Sequence, residues 1–152
     1  MYTEIEVIQQ PQQAVMSIRT RTSVDKLPGL IGQGYGAIMG WLQELGEAPV
    51  GMPFVAYYNM DMQDLDVEIG FPVGRALTGK GEVQPGAIPD GRVASCTYTG
   101  PYEQMAPAYE ALTQWVQEHG YVPSGISYEH YLNSPADCPP EGLQTRIVFP
   151  LK

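Results

Sequence analysis

Residues 35–59, YGAIMGWLQELGEAPVGMPFVAYYN, recur 74 positions later as YEALTQWVQEHGYVPSGISYEHYLN at residues 109–133. Ten of the twenty-five aligned positions are identical, from Tyr35 and Tyr109 through Trp41 and Trp115 to Asn59 and Asn133. Average composition gives roughly one or two such identities. The chain therefore carries one structural unit twice. Residues that keep the unit folded should recur in both copies, whereas a site needed once should appear where the copies differ.

Each copy reads β-α-β-β. In the first, Ala14 to Thr20 has strand composition, and Ile31, Tyr35, Ile38, Leu42 and Leu45 follow at spacings of four, three, four and three. That spacing marks one apolar stripe of an amphipathic helix. Met105, Tyr109, Leu112, Val116 and His119 repeat the stripe behind Pro101, suited to a first helical turn, and Glu103, suited to the positive end of the helix dipole. Gly46 and Gly120 are expected to end the two helices, since glycine adopts the left-handed cap conformation cheaply. Strands follow at Phe54 to Asn59 and Ser127 to Asn133, then at Asp66 to Val73 and Thr145 to Leu151. The final strands match at an offset of 78, the extra four residues lying in the Pro-rich loop Ser134 to Gly142. Residues 76–90 join the copies and are expected to hold at most a short strand around Glu82 and Val83. The fold class is α+β: a mostly antiparallel sheet, the two repeats (about 12–75 and 90–152) side by side, both helices on one face and a groove open on the other.

The 152 residues are enough for one self-sufficient domain spanning 1–152. Cys96 and Cys138 form neither a disulfide framework nor a metal spacing, and the start Met1-Tyr2-Thr3-Glu4 lacks the regions of a secretory signal. A reducing cytoplasm is the expected location. No apolar run approaches the roughly 20 residues of a membrane span. A net charge of -9 with scattered basic residues argues against direct binding to nucleic acid, which is built on clustered Lys and Arg. No cofactor and no metal are expected, because His119 and His130 stand apart from any acidic ligand pattern. Gly29, Gly32, Gly34 and Gly36 lack the strand and the Gly-Lys-Ser ending of a phosphate loop, and read instead as positions of close helix packing.

The sharpest difference between the copies is Val55 against Glu129. In the strand around Glu129, alternation puts Glu129 and Tyr131 on one face and Tyr128, His130 and Leu132 on the other. A mid-strand carboxylate among aromatics is either solvent-facing or desolvated with a raised pKa, and in the second case it pairs with a cation or moves a proton. Ten tyrosines against three phenylalanines add flat surfaces with polar tips, and Tyr57, Tyr58, Tyr98, Tyr102, Tyr128 and Tyr131 fall where a groove would be lined. The recurring Tyr35, Tyr109, Trp41 and Trp115 read as core. Glu68 alternates with apolar neighbours and reaches either the groove or water. Arg146 is its counterpart.

The run Arg19-Thr20-Arg21-Thr22, the segment Gly100-Pro101-Tyr102-Glu103, the stretch from Trp115 to Pro123 and, above all, Tyr128-Glu129-His130-Tyr131-Leu132-Asn133-Ser134-Pro135 resemble the GyrI-like small-molecule-binding family. That family shares its fold with the effector domains of multidrug-responsive bacterial transcription activators. The resemblance spans nearly the whole chain. It implies a groove between the halves for bulky, often cationic, aromatic compounds, with a strand glutamate at its base that Glu129 matches. Taken with the groove-lining tyrosines and Glu68, the expected ligand-binding set is Glu129, Tyr57, Tyr102, Tyr131, Glu68 and Tyr98. Because the unit begins almost at Met1, the chain looks like a stand-alone form, and His130 stands where relatives often carry an aliphatic residue. Some stand-alone relatives hydrolyse strained electrophiles with a glutamate and a tyrosine, which makes Glu129 and Tyr131 the catalytic candidates. A protein-interaction module of the gyrase-inhibitor type, with an unknown protein partner, is the third reading.

Overall fold

The computed structural model describes residues 2–152, which form two compact units. The first comprises residues 11–90 and the second residues 2–10 with 91–152. Each is an antiparallel four-stranded sheet carrying one helix, so the fold is α+β.

The 11–90 unit contains β2 (Gln13–Thr22), α1 (Leu27–Glu44), β3 (Phe54–Tyr57), β4 (Leu65–Pro72) and β5 (Gln84–Ile88) in the sheet order β3-β4-β2-β5. Helix α1 buries Leu27, Gly34, Ile38 and Leu42, close to the stripe the periodicity predicts. It packs on the row in which Ile18 pairs with Ile69 and Ile69 with Val55. Gly34 alone among the helix glycines is there for close approach. A methyl group added to it would collide with Ile69 Cδ1, whereas Gly29, Gly32 and Gly36 face open space. The reading of all four as packing positions is corrected to one.

The other unit contains β1 (Glu6–Gln10), β6 (Gly91–Thr99), α2 (Ala106–Glu118), β7 (Ser127–Tyr131) and β8 (Gln144–Pro150) in the order β1-β6-β8-β7. Its core gathers Ala108, Leu112 and Val116 of α2 against Cys96, Ile147 and Phe149. Gly46 at φ 71° and Gly120 at φ 77° follow the two helices as predicted. Pro101 and Glu103 do not start α2. They belong to a 3₁₀ turn at Tyr102–Gln104, and α2 begins at Ala106 with Pro107 in its first turn. His119 is exposed at the helix end and stacks on Trp115 at 3.9 Å instead of joining the apolar stripe.

The linker between the copies holds a full strand, β5, which pairs with β2 from Gln13↔Ile88 to Ser17↔Gln84. Its counterpart 78 positions earlier, β1, pairs with β6 from Glu6↔Ser95 to Gln10↔Gly91. Each sequence repeat is therefore β-β-α-β-β, and its first strand completes the sheet of the other repeat. An edge strand needs backbone hydrogen bonds but little apolar pattern, so GEVQPGAI concealed it. Among the described residues no helix is long and apolar enough to cross a membrane.

Candidate functional site

Glu129 lies at the centre of β7, paired with Ile147 of β8, which in turn pairs with Cys96 of β6. Cys96 and Ile147 are part of the core beneath α2, so Glu129 is on the α2-covered face. The groove expected from sequence was assigned to the face away from the helices; Glu129 does not look that way. Helix α2 lies over it, and Tyr109 reaches down from the helix to donate a hydrogen bond to Glu129 Oε2. Tyr131, two residues along the same strand, donates to Oε1 at 2.8 Å. The period-two alternation that placed Glu129 and Tyr131 on one face is what makes this contact possible.

Glu129 is 9% exposed. Burial pushes its carboxyl above the usual carboxylate range, against the two phenol hydrogen bonds, which favour the charged form. Among the described residues no Lys, Arg or His lies within ion-pair distance of it. Among those residues its side-chain partners are the hydroxyl groups of Tyr109 and Tyr131. A carboxylate so placed is under-compensated when ionised, because neutral donors offset only part of the lost hydration.

Tyr102 forms the rim. Its ring meets Tyr131 edge-on at 5.6 Å, and it is 38% exposed. Burial, together with the nearby Cys138 thiol and Glu129, pushes its phenol upward. Tyr98 supports this rim from inside. It is buried, and its hydroxyl donates to the Pro101 carbonyl at 2.9 Å, anchoring the turn that carries Tyr102. Thr145 pairs with both Tyr131 and Tyr98 on the same face, and its hydroxyl is buried without a hydrogen-bond partner among the described residues.

Structure thus brings Glu129, Tyr131 and Tyr102 together, with Tyr98 behind them. Tyr57 and Glu68 belong to the 11–90 unit, in β3 and β4. Glu68 is on the sheet face away from α1, where Ser17 donates to it at 2.5 Å and Tyr58 at 2.6 Å. Arg19 covers Tyr58 at 3.6 Å from the ring centroid. Sequence reasoning missed Tyr109 by treating a recurring aromatic as core alone. The signal was available: the same helical tyrosine recurs above Val55 in one copy and above Glu129 in the other. Thr145 had no sequence signal.

Residues 3–152 match the family described as the GyrI-like small molecule binding domain. The C-terminal domain of EcmrR superposes with a TM-score of 0.81 at 20% identity, covering 100% of this chain and 98% of that one. Against the longer EcmrR chain solved in complex with DNA, this chain spans 57% of the length at 21% identity and a TM-score of 0.81. A hydrolase from Listeria innocua gives 0.72 at 13% identity, covering 98% of this chain and 92% of that one. SAV2435, solved with bound tetraphenylphosphonium, gives 0.71 at 12% identity, covering 99% and 94%. At these identities the likeness is one of fold, and no curated protein sequence matches. With the family match running across nearly all of a chain built from two helix-bearing antiparallel sheets, the protein belongs to the GyrI-like small-molecule-binding family.

Proposed function

We propose that this protein binds hydrophobic, planar, preferentially cationic organic molecules, with Glu129 as the charge anchor and Tyr102, Tyr109 and Tyr131 as aromatic walls. One observation carries the reading: a buried carboxylate whose two oxygens, among the described residues, meet only phenol hydroxyls and no cation. A ligand cation supplies the missing counter-charge. Ring faces around it add cation-π attraction of about 2 kcal/mol when desolvated. An anion at the same place meets like charge and no donor beyond the two phenols, so the site selects against it. Tetraphenylphosphonium in SAV2435 is consistent with this ligand class.

The test is a titration with tetraphenylphosphonium and with neutral triphenylphosphine oxide. Wild type should prefer the cation, and Glu129→Gln should lose that preference while keeping the neutral compound. Equal affinity of both proteins for the cation removes Glu129 from the role.

A second reading is favoured by the 2.8 Å contact between Tyr131 and Glu129. Glu129, with a raised pKa, accepts a proton from water as the water oxygen attacks a strained electrophilic carbon. The Tyr131 hydroxyl stabilises the oxygen that leaves with the bonding pair, and that oxygen then takes up the proton held by Glu129, which restores the carboxylate. The Listeria innocua hydrolase of the same fold is consistent with it. Mass spectrometry after incubation with strained electrophiles separates the readings: water addition that Glu129→Gln abolishes supports hydrolysis, and intact ligand supports plain binding.

A further inference from the structure

On the sheet face turned away from α2, Arg146 of β8 pairs across to His130 of β7 and to Thr97 of β6. One row along lie Tyr128, Val148 and Ser95, and Ser95 is paired with Glu6 of β1. Arg146 is only partly exposed, and burial pulls its pKa down. Among the described residues its one side-chain hydrogen bond is a long one, 3.4 Å from Nη2 to the hydroxyl of Ser95. Among the described residues no carboxylate stands within ion-pair distance of it. Glu6 is near enough to be felt electrostatically, but it is exposed and forms no ion pair.

Three of the other four arginines are treated differently. Arg19 binds both oxygens of Asp66 at 2.7 and 2.9 Å, Arg21 both oxygens of Asp64 at 3.0 Å, and Arg75 pairs with Glu47. A guanidinium has five N–H donors in a planar fork shaped for two oxygens of one acceptor. At Arg146 most of that fork is unused, although the group is taken partly out of water. Its neighbour His130 is held neutral near pH 7, since burial and the guanidinium bring its pKa down to about 4. The ring therefore adds polarity without a competing charge.

We infer that Arg146, positioned by Ser95 and flanked by His130, is an oxyanion-binding site distinct from the Glu129 site and on the other face of β7. The ligand is a small oxyanion presenting two oxygens in a plane to the guanidinium, either inorganic sulfate or phosphate or the carboxylate of an organic molecule. Overall charge opposes this at long range, because the chain carries -9. Binding must come from contact, so it should survive added chloride better than a purely electrostatic attraction does. The inference is independent of the Glu129 reading.

The chain has two histidines, which makes ring NMR signals a local readout. His119, stacked on Trp115 at the end of α2, is the internal reference. The protein is titrated at pH 7 with sodium sulfate and separately with sodium benzoate, at ionic strength held constant with chloride. A saturable shift confined to His130 is expected. Arg146→Gln should weaken it by roughly ten-fold or more, and Arg146→Lys, which keeps the charge but loses the fork, by less. Glu6→Gln should strengthen it by removing the nearest competing carboxylate. Saturation by sulfate points to an inorganic oxyanion and saturation by benzoate alone to an organic carboxylate. A shift that grows without saturating, that moves both histidines together, or that is unchanged in both folded Arg146 variants overturns the inference.

Discussion

The two units place the same tyrosine of the same helix over different strands' chemistry. In the 11–90 unit, Tyr35 donates to the backbone carbonyl of Phe54 at 2.9 Å, its ring lies 5.0 Å from Phe71, and the neighbouring Val55 is fully buried. In the other, Tyr109 packs 5.8 Å from Phe149 but gives its hydroxyl to Glu129. Helix, aromatic pair and sheet recur; one substitution in the strand turns a packing tyrosine into a carboxylate partner. The second inversion is on the opposite sheet face. Glu68 is held by Ser17 and Tyr58, whereas at the matching position Arg146, among the described residues, has only Ser95. In each case the charge in the 91–152 half is the one left without a full complement of partners. Function is therefore expected where folding alone leaves a charge under-compensated, and that lies in one copy of the repeat.

The most severe way to break this asymmetry is Val55→Glu. It puts a carboxylate into a fully buried row beneath α1, in a copy whose tyrosine is already committed to Phe54. A loss of about 3–5 kcal/mol is expected from an uncompensated buried charge, read as a lower urea midpoint. A loss under 1 kcal/mol would mean that Tyr35 switches to the new carboxylate and that the two units are interchangeable.

Acid titration is the next largest effect. His130 is neutral in the folded protein, with a pKa of about 4 set by burial and by Arg146, whereas the unfolded chain takes up a proton near 6.5. Stability is fully present above the unfolded value and declines as pH falls from 6.5 towards 4, by at most about 3 kcal/mol at 1.36 kcal/mol per unit. Glu129 acts in the opposite sense. Its raised pKa favours the folded state at low pH, and that contribution is lost as pH rises through the raised value. Urea midpoints against pH should show His130→Gln flattening the acid limb and Glu129→Gln flattening the decline on the alkaline side. Parallel curves for all three proteins would contradict both assignments.

For ligand binding, Glu129→Gln should cost roughly 10–100-fold in affinity for a lipophilic cation, the equivalent of a charge-assisted contact of 1.5–3 kcal/mol, by calorimetry. The matched control is Glu68→Gln. If Glu129 is the anchor, that change leaves affinity within a few-fold.

The smallest expected effect is the most direct comparison. Tyr35→Phe removes a neutral hydrogen bond to a carbonyl and should cost about 1 kcal/mol, whereas Tyr109→Phe strips a donor from a buried carboxylate and should cost about 1–3 kcal/mol at neutral pH. The second change also raises the Glu129 pKa further, since the lost bond favoured the charged form. Equal losses, constant with pH, would show that the two tyrosines do the same work.

Local pattern carried much of this. Helical periodicity placed Leu42, Leu112 and Val116 in the core, the glycines after both helices took the positive φ that a cap requires, and strand parity put Glu129 beside Tyr131 and Tyr128 beside His130. The repeat itself singled out Glu129 and aligned Arg146 with Glu68. These properties depend on residues a few positions apart, so the chain's own spacing determines them. Tertiary structure decided the rest. The exchange of β1 and β5 rests on backbone pairing between segments some 70 to 90 residues apart, for which a strand such as QPGAI carries no apolar code. Which face Glu129 shares with a helix, that Tyr109 is its partner, and that Arg146 is left with one long hydrogen bond all follow from long-range packing, because desolvation and hydrogen-bond supply are set by what the fold brings near and not by the neighbours in sequence.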